Sequence, residues 1–170
     1  MKVTLVMAQT LDGRIAKDSD HFPDWTGKAD KKFFSEITKK AGVLIMGSKT
    51  YDTIGRPLPG RKNIIFTLED RSSDHPDLVF THEAPEKLLE NLESQGFSHV
   101  ILAGGMTINS LFARRNLIDE VIVTVSPLIF GRGLGVFASD VEMKLKLEKF
   151  EALDENVISL YYQVLKSVNA

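Results

Sequence analysis

Short apolar, β-branched runs alternate along the chain with stretches whose apolar residues recur at helical spacing. Lys2 to Gln9, Val43 to Met46, Asn63 to Thr67, His99 to Ala103 and Glu120 to Ser126 are apolar enough to be strands covered on both faces. Residues 28–41, 49–54, 85–94 and 106–115 read as helices between them. Parallel neighbours need a crossover, and the crossover covers a face of the sheet, so this β, α, β, α order predicts a mainly parallel sheet with helices on both sides. From residue 144 onward the pattern changes: Lys144 to Leu147 alternates charge with apolarity, Val157 to Val164 is apolar and aromatic, and no helix separates them. A closing antiparallel pair is expected there. With no repeat, low-complexity tract or linker in view, residues 1–170 are expected to form one α/β domain, a three-layer sandwich.

Composition narrows the possible partners. A chain of 170 residues, 43% hydrophobic, is large enough for one well-filled core. Its 21 basic and 23 acidic residues give a formal charge of -2, without the basic excess that binding to phosphate backbones uses, so no nucleic acid is expected. The absence of cysteine excludes disulfides, thiol nucleophiles and thiolate metal sites. His21, His75, His82 and His99 have no metal-ligand spacing, and no metal is expected. Val3 to Ala8 is too short for a membrane span or a secretion signal, which leads to the expectation of a soluble, cytoplasmic protein without a membrane partner.

Candidate chemistry begins on the helix at 28–41, for which Thr26 is the expected N-cap. Phe33, Phe34, Ile37 and Ala41 share one stripe, and Asp30 falls in its middle. An ionised carboxylate there loses hydration at a cost of several kcal/mol unless hydrogen bonds compensate. Two readings are open: a first-turn acid favoured by the helix dipole and reaching water, or a carboxylate at the floor of a pocket walled by Phe34. Thr124 interrupts an apolar strand, so its hydroxyl needs a buried partner, either Asp30 or nearby backbone. Trp25 ends a polar loop from Thr10, where it either belongs to a lid or packs the helix entrance.

Two strand-to-helix junctions have the same design. Gly47-Ser48-Lys49-Thr50 and Gly104-Gly105 each follow a strand and open a helix. In a parallel sheet both lie at the carboxyl edge, where free N–H groups and positive dipole ends favour phosphate, unless the glycines serve only to turn the chain. Arg56-Pro57-Leu58-Pro59-Gly60-Arg61 is a rigid turn with guanidiniums suited to a ligand carboxylate if one of them faces a pocket. Gly131-Arg132-Gly133-Leu134-Gly135 reads as a flexible turn.

Taken in order, these pieces resemble the dihydrofolate reductase family over essentially the whole chain. The matching residues are Ala8 with Leu11-Asp12, Pro23-Asp24-Trp25 with Asp30 and Phe34, and Ile45-Met46-Gly47 with Thr50. The most specific stretch runs from Ile54 to Ile64, and Gly104-Gly105 and Thr124 complete the set. The resemblance implies a single-domain fold of that family and NADPH-dependent reduction of 7,8-dihydrofolate to 5,6,7,8-tetrahydrofolate, a step of one-carbon metabolism. It also implies roles. Asp30 would accept hydrogen bonds from the pterin and assist protonation of N5, Trp25 would hold a water beside the ring, and Thr124 would bond Asp30. Val6, Ala8, Phe34, Ile54 and Leu58 would surround the substrate, and Arg61 would pair with its glutamate carboxylate. Ala8 and Ile15 would flank the nicotinamide, while Gly47, Ser48, Lys49, Thr50, Thr67, Ala103, Gly104, Gly105, Met106, Thr107 and Ile108 would hold the rest of the cofactor, with a cis bond between Gly104 and Gly105.

Departures from that family pattern bear on specificity. Ser48 stands where a basic residue usually contacts the 2′-phosphate of NADPH, and Leu68 where a small hydroxyl residue often follows Thr67, which leaves NADH open as the cofactor. Asn109 and Lys31 replace an aromatic and an apolar residue. A second resemblance, to the reductase domain of riboflavin biosynthesis, is carried by Leu11 to Ala16, Gly104-Gly105 and the segment from Leu117 to Gly133. It implies a ribosylaminopyrimidine phosphate as the alternative substrate. A non-catalytic nucleotide-binding module is a third reading. A monomer is expected ahead of a homodimer.

Overall fold

The computed structural model describes residues 1–138 and 141–166. Its elements are β1 (Lys2–Thr10), β2 (Arg14–Ala16), α1 (Gly27–Ala41), β3 (Val43–Gly47), α2 (Ser48–Ile54), β4 (Lys62–Phe66), β5 (Leu78–Thr81), α3 (Pro85–Ser94), β6 (His99–Leu102), α4 (Met106–Ala113), β7 (Glu120–Ser126), β8 (Leu134–Gly135), β9 (Lys144–Ala152) and β10 (Ile158–Leu165). The main sheet is eight-stranded in the order β5-β4-β3-β6-β1-β7-β10-β9, and β2 pairs β8 in a separate two-stranded ribbon. Neighbours from β5 through β7 are parallel; β7 with β10 and β10 with β9 are antiparallel.

Alternation of side chains along each strand divides the core between the two faces. Val3 and Leu5 of β1 join Ile45, Val100 and Leu102 against Leu88, Leu89 and Leu92 of α3 and Phe112 of α4. Val6 joins Leu44, Met46, Ile101 and Ile122 against Phe33, Phe34 and Ile37 of α1 and Ile54 of α2. Each fully buried Leu, Ile or Phe contributes about 1.5–3 kcal/mol of transfer free energy, so both layers hold firmly to the sheet. The helix α1 stops at Gly42, whose φ of 79° lets its N–H close on Thr38 and Lys39 carbonyls at 3.2 Å each.

The predicted sandwich is present, and the predicted strands and helices agree with the structure to within a few residues at most ends. Several expectations need correction. The stretch from Thr10 to Trp25 is not loop throughout, because β2 lies within it, and the turn expected at Gly131 to Gly135 contains β8, the partner of β2. Both are short enough that their apolar pattern gives no period. Also unforeseen is β5, where polar residues before Leu78 hide a short edge strand whose ladder partner is the buried β4. Thr26 precedes α1 but makes no capping hydrogen bond, its own φ and ψ being already helical. The C-terminal hairpin is longer than Lys144 to Leu147 suggests, since β9 runs on to Ala152. Among the described residues no helix is long and apolar enough to cross a membrane. The expected domain span of 1–170 includes residues 139–140 and 167–170, which lie outside the described residues.

Candidate active site

Asp30 sits in the first turn of α1 on the stripe that faces the sheet, and it is 7% exposed. Below it, β7 presents Thr124, 1% exposed, and the Thr124 hydroxyl donates to Asp30 Oδ1 at 2.5 Å. Asp30 is thus a buried carboxylate and not one that reaches bulk water past the helix end. Thr124 is its hydrogen-bond donor among the described residues, and Oδ2 has no partner there. Parallel pairing of β1 with β7 sets Ala8 opposite Thr124, so a small side chain lies beside the acid. Val6, Phe34, Ile54 and Leu58 belong to the apolar cluster on this same face of the sheet. The result is a carboxylate with one free oxygen among apolar walls.

A second half-site lies at the carboxyl ends of β3 and β6, which are adjacent in the sheet. The Gly104-Gly105 bond is cis, and the Gly47 N–H donates to the Gly104 carbonyl at 2.8 Å, so the two junctions face each other. A Cβ on Gly47 would stand 3.0 Å from Ile108 Cγ1, and one on Gly105 would stand 3.3 Å from Thr50 Oγ1, so a side chain at either position would press on its neighbour across this seam. Among the described residues neither α2 nor α4 has a side-chain cap, which leaves first-turn N–H groups at Ser48 to Thr50 and Met106 to Ile108 for an anionic ligand. Lys49 and Thr107 are exposed nearby in sequence, while Ala103 and Thr67 are buried. This donor set fits the phosphates of a dinucleotide. Met7 was missed in the sequence: its thioether packs where a Cβ on Gly104 would stand 3.1 Å away, and only its alternation with Ala8 along β1 signals a role.

The third part is the rim. Asp12 accepts the Thr10 hydroxyl at 2.5 Å and the N–H groups of Phe130 and Gly131 at 3.2 and 2.8 Å. The Thr10 hydroxyl, followed by those two amides, holds the Asp12 carboxyl below the usual carboxylate range, although burial pushes the other way. The segment after β7 is thereby tied to the turn after β1. Phe130 then packs edge-on against Trp25 at 5.2 Å and His21 at 5.4 Å. Trp25 Nε1 is buried without a partner among the described residues. Ile15, half-buried on β2, lies in the ribbon that joins these two segments. Phe130 is another residue whose part sequence reasoning did not find, for its packing partner is more than a hundred residues earlier in the chain.

Arg61 is turned inward and 5% exposed. Its Nε and Nη2 donate to the Pro59 carbonyl at 3.2 and 3.1 Å, and its Nη1 donates to the Thr38 hydroxyl and, at 3.5 Å, to the Ser35 carbonyl. Removal from water pushes its pKa down. Among the described residues no acidic side chain pairs with it. Arg56, by contrast, is exposed.

Residues 1–159 match the family of the RibD C-terminal domain. The chain belongs to that RibD C-terminal domain family. This member also has relatives of the folate type: the dihydrofolate reductase of Staphylococcus haemolyticus is 35% identical over 114 residues, covering 66% of this chain and 63% of that protein. Among solved structures, Acinetobacter baumannii RibD superposes with a TM-score of 0.81 at 22% identity, covering 97% of this chain and 58% of that one. Dihydrofolate reductase from Enterococcus faecalis, in complex with NADP(H) and RAB-propyl, superposes with a TM-score of 0.74 at 21% identity, covering 97% of each chain. These structural likenesses establish the shared fold, an α/β domain with a mainly parallel central sheet. The RibD C-terminal domain family and the dihydrofolate reductase type thus meet in one chain, as the two resemblances in its sequence imply.

Proposed function

We propose that the protein is an NADPH-dependent dihydrofolate reductase. The observation that supports this reading is the buried Asp30 carboxylate, oriented by Thr124 and left with Oδ2 for a ligand. A dihydropterin ring offers a 2-amino group and an adjacent ring nitrogen at matching positions, and a carboxylate removed from water accepts such donors strongly. Val6, Ala8, Phe34, Ile54 and Leu58 would enclose the ring system and its extension, excluding water from the reacting edge. Trp25 Nε1, buried without a partner among the described residues, would be the donor for a water beside Asp30. Arg61, held against α1 by the Ser35 carbonyl and the Thr38 hydroxyl, would supply the charge for a ligand carboxylate.

The facing starts of α2 and α4 would hold NADPH, which would supply the hydride. The residues Gly47 to Thr50, Ala103 to Ile108 and Thr67 would hold its phosphates and ribose, with Ala8 and Ile15 beside the nicotinamide. Lys49 provides a cation for the 2′-phosphate in place of Ser48. Asp30 Oδ2 orients the pterin and assists delivery of the proton that N5 gains as hydride reaches the neighbouring carbon.

A second reading, reduction of a ribosylaminopyrimidine phosphate, is favoured by the family match over residues 1–159 and by the segment from Leu117 to Gly133. Absorbance at 340 nm separates the two. With NADPH, loss of signal on adding dihydrofolate and none with the ribosylaminopyrimidine phosphate supports the folate reading; the reverse result replaces it. Cofactor binding without turnover of either substrate would make the protein a nucleotide-binding module.

A further inference from the structure

We infer that Asn109 and Ser110 of α4 are positioning residues for the nicotinamide end of the cofactor. They tie the helix that would receive the phosphates to the ribbon of β2 and β8, which carries Ile15. This role rests on the proposed dinucleotide site, with Ile15 beside the nicotinamide, and is the same for either substrate.

Both residues are fully buried, and both spend their side chains on one stretch of chain just beyond β8. Asn109 Nδ2 donates to the Val136 carbonyl at 2.7 Å, and the Ser110 hydroxyl accepts the Ala138 N–H at 2.8 Å. Elsewhere α4 buries Phe112 and Ala113, so the polar pair stands out within its buried face. A buried amide or hydroxyl is costly unless it is bonded, and here each is bonded to backbone of the same segment. A carbonyl only accepts, which gives the Asn109 amide a single orientation: its NH2 faces Val136, and Oδ1 is left buried without a partner among the described residues.

The main chain of Asn109 makes the second connection. Its N–H donates to the Gly105 carbonyl at 3.0 Å, and Gly105 belongs to the cis junction whose Gly104 carbonyl accepts the Gly47 N–H. One residue thus joins the phosphate junction, through its backbone, to the chain beyond β8, through its side chain. From Val136 the path to the site is short and stiff. Gly135 pairs with Arg14 and Leu134 with Ala16, so Ile15 lies between the two rungs of the ribbon. A Cβ on Gly133 would collide with the Ala16 carbonyl oxygen, so the two short strands lie too close to move independently. Fixing Val136 relative to Gly105 therefore fixes Ile15 relative to the phosphates. A long ligand held at both ends binds tightly when the spacing of those ends is set in advance. The departure from the dihydrofolate reductase pattern at this position, an amide in place of an aromatic residue, thereby acquires a role.

Isothermal titration calorimetry with NADPH and with 2′-phospho-ADP-ribose, the same dinucleotide without its nicotinamide, separates the two ends. Asn109→Leu keeps the size of the side chain and removes the donor. It is expected to weaken NADPH binding roughly tenfold and to leave 2′-phospho-ADP-ribose within about twofold of the wild type. Ser110→Ala, a smaller change, is expected to act in the same direction by about threefold. A part played only in holding α4 together would lower both affinities alike. Equal losses for the two ligands, or NADPH binding unchanged in both variants, would overturn the inference and leave the cofactor site standing. A wild type that binds neither ligand removes both. Should circular dichroism show Asn109→Leu unfolded, the comparison in Ser110→Ala decides alone.

Discussion

The Thr124 hydroxyl reaches Asp30 Oδ1 at 2.5 Å across 94 residues of sequence, joining the first turn of α1 to the middle of β7. A carboxylate buried beside apolar side chains keeps its place only while its hydrogen bonds persist. Everything proposed for the pocket depends on that pair.

Replacing Asp30 by Asn keeps the volume of the side chain and removes its charge. Turnover of dihydrofolate at neutral pH is expected to fall about 10²–10⁴-fold, the usual contribution of a positioned acid or base. Fluorescence titration is expected to show NADPH binding unchanged, because the facing helix starts do not include Asp30. Wild-type turnover across pH 5 to 8 would remove Asp30 from the mechanism.

Thr124→Val removes the donor and leaves the shape nearly intact. A hydrogen bond to a charged group contributes about 1.5–3 kcal/mol, so the urea midpoint is expected to fall by a corresponding amount. The Michaelis constant for substrate is expected to rise with it. A variant as stable as the wild type, with an unaltered Michaelis constant, would show that Asp30 is held by other means.

Asp12 gives a prediction in pH. Its folded carboxyl is held below the usual range, chiefly by the Thr10 hydroxyl, so the stabilisation is fully present above the unfolded value and disappears as pH falls through the folded one. The stability difference between the wild type and Asp12→Asn is therefore expected to be constant near neutrality and to shrink in acid. Thermal unfolding of both proteins over a pH series measures it, and a difference that grows toward low pH contradicts the assignment.

Gly133 has a φ of 144°, and a Cβ there would collide with the carbonyl oxygen of Ala16. Gly133→Ala is expected to cost about 1–3 kcal/mol in backbone strain, and more if β2 and β8 separate. Differential scanning calorimetry would register the loss. An unchanged melting temperature would mean that the ribbon moves aside freely.

Much of this architecture was legible in the sequence. The strands β1, β3, β4, β6 and β7 are buried on both sides and read as continuous apolar runs. Asp30 could be singled out because it broke the apolar stripe of α1, and Thr124 because it broke β7. What remained hidden depends on distant pairing. The ribbon of β2 with β8 has too few residues for a period, and the Asp12 anchor is visible only once the segment after β7 folds back over β1. Arg61 shows another limit, since no local pattern reveals that its guanidinium turns toward Thr38 rather than toward water.

Because β1 runs through the centre of the sheet between β6 and β7, it serves both halves of the site: Met7 lies against Gly104 on one face, and Ala8 lines up with Thr124 on the other. Inserting a single residue upstream of Met7 would exchange the two faces, sending a thioether toward the acid and a methyl group toward the glycine seam. Surrounding segments can lengthen, shorten or change composition without that penalty. Divergence among proteins built on this plan is therefore expected to accumulate at the rim, with the length of the first strand held fixed.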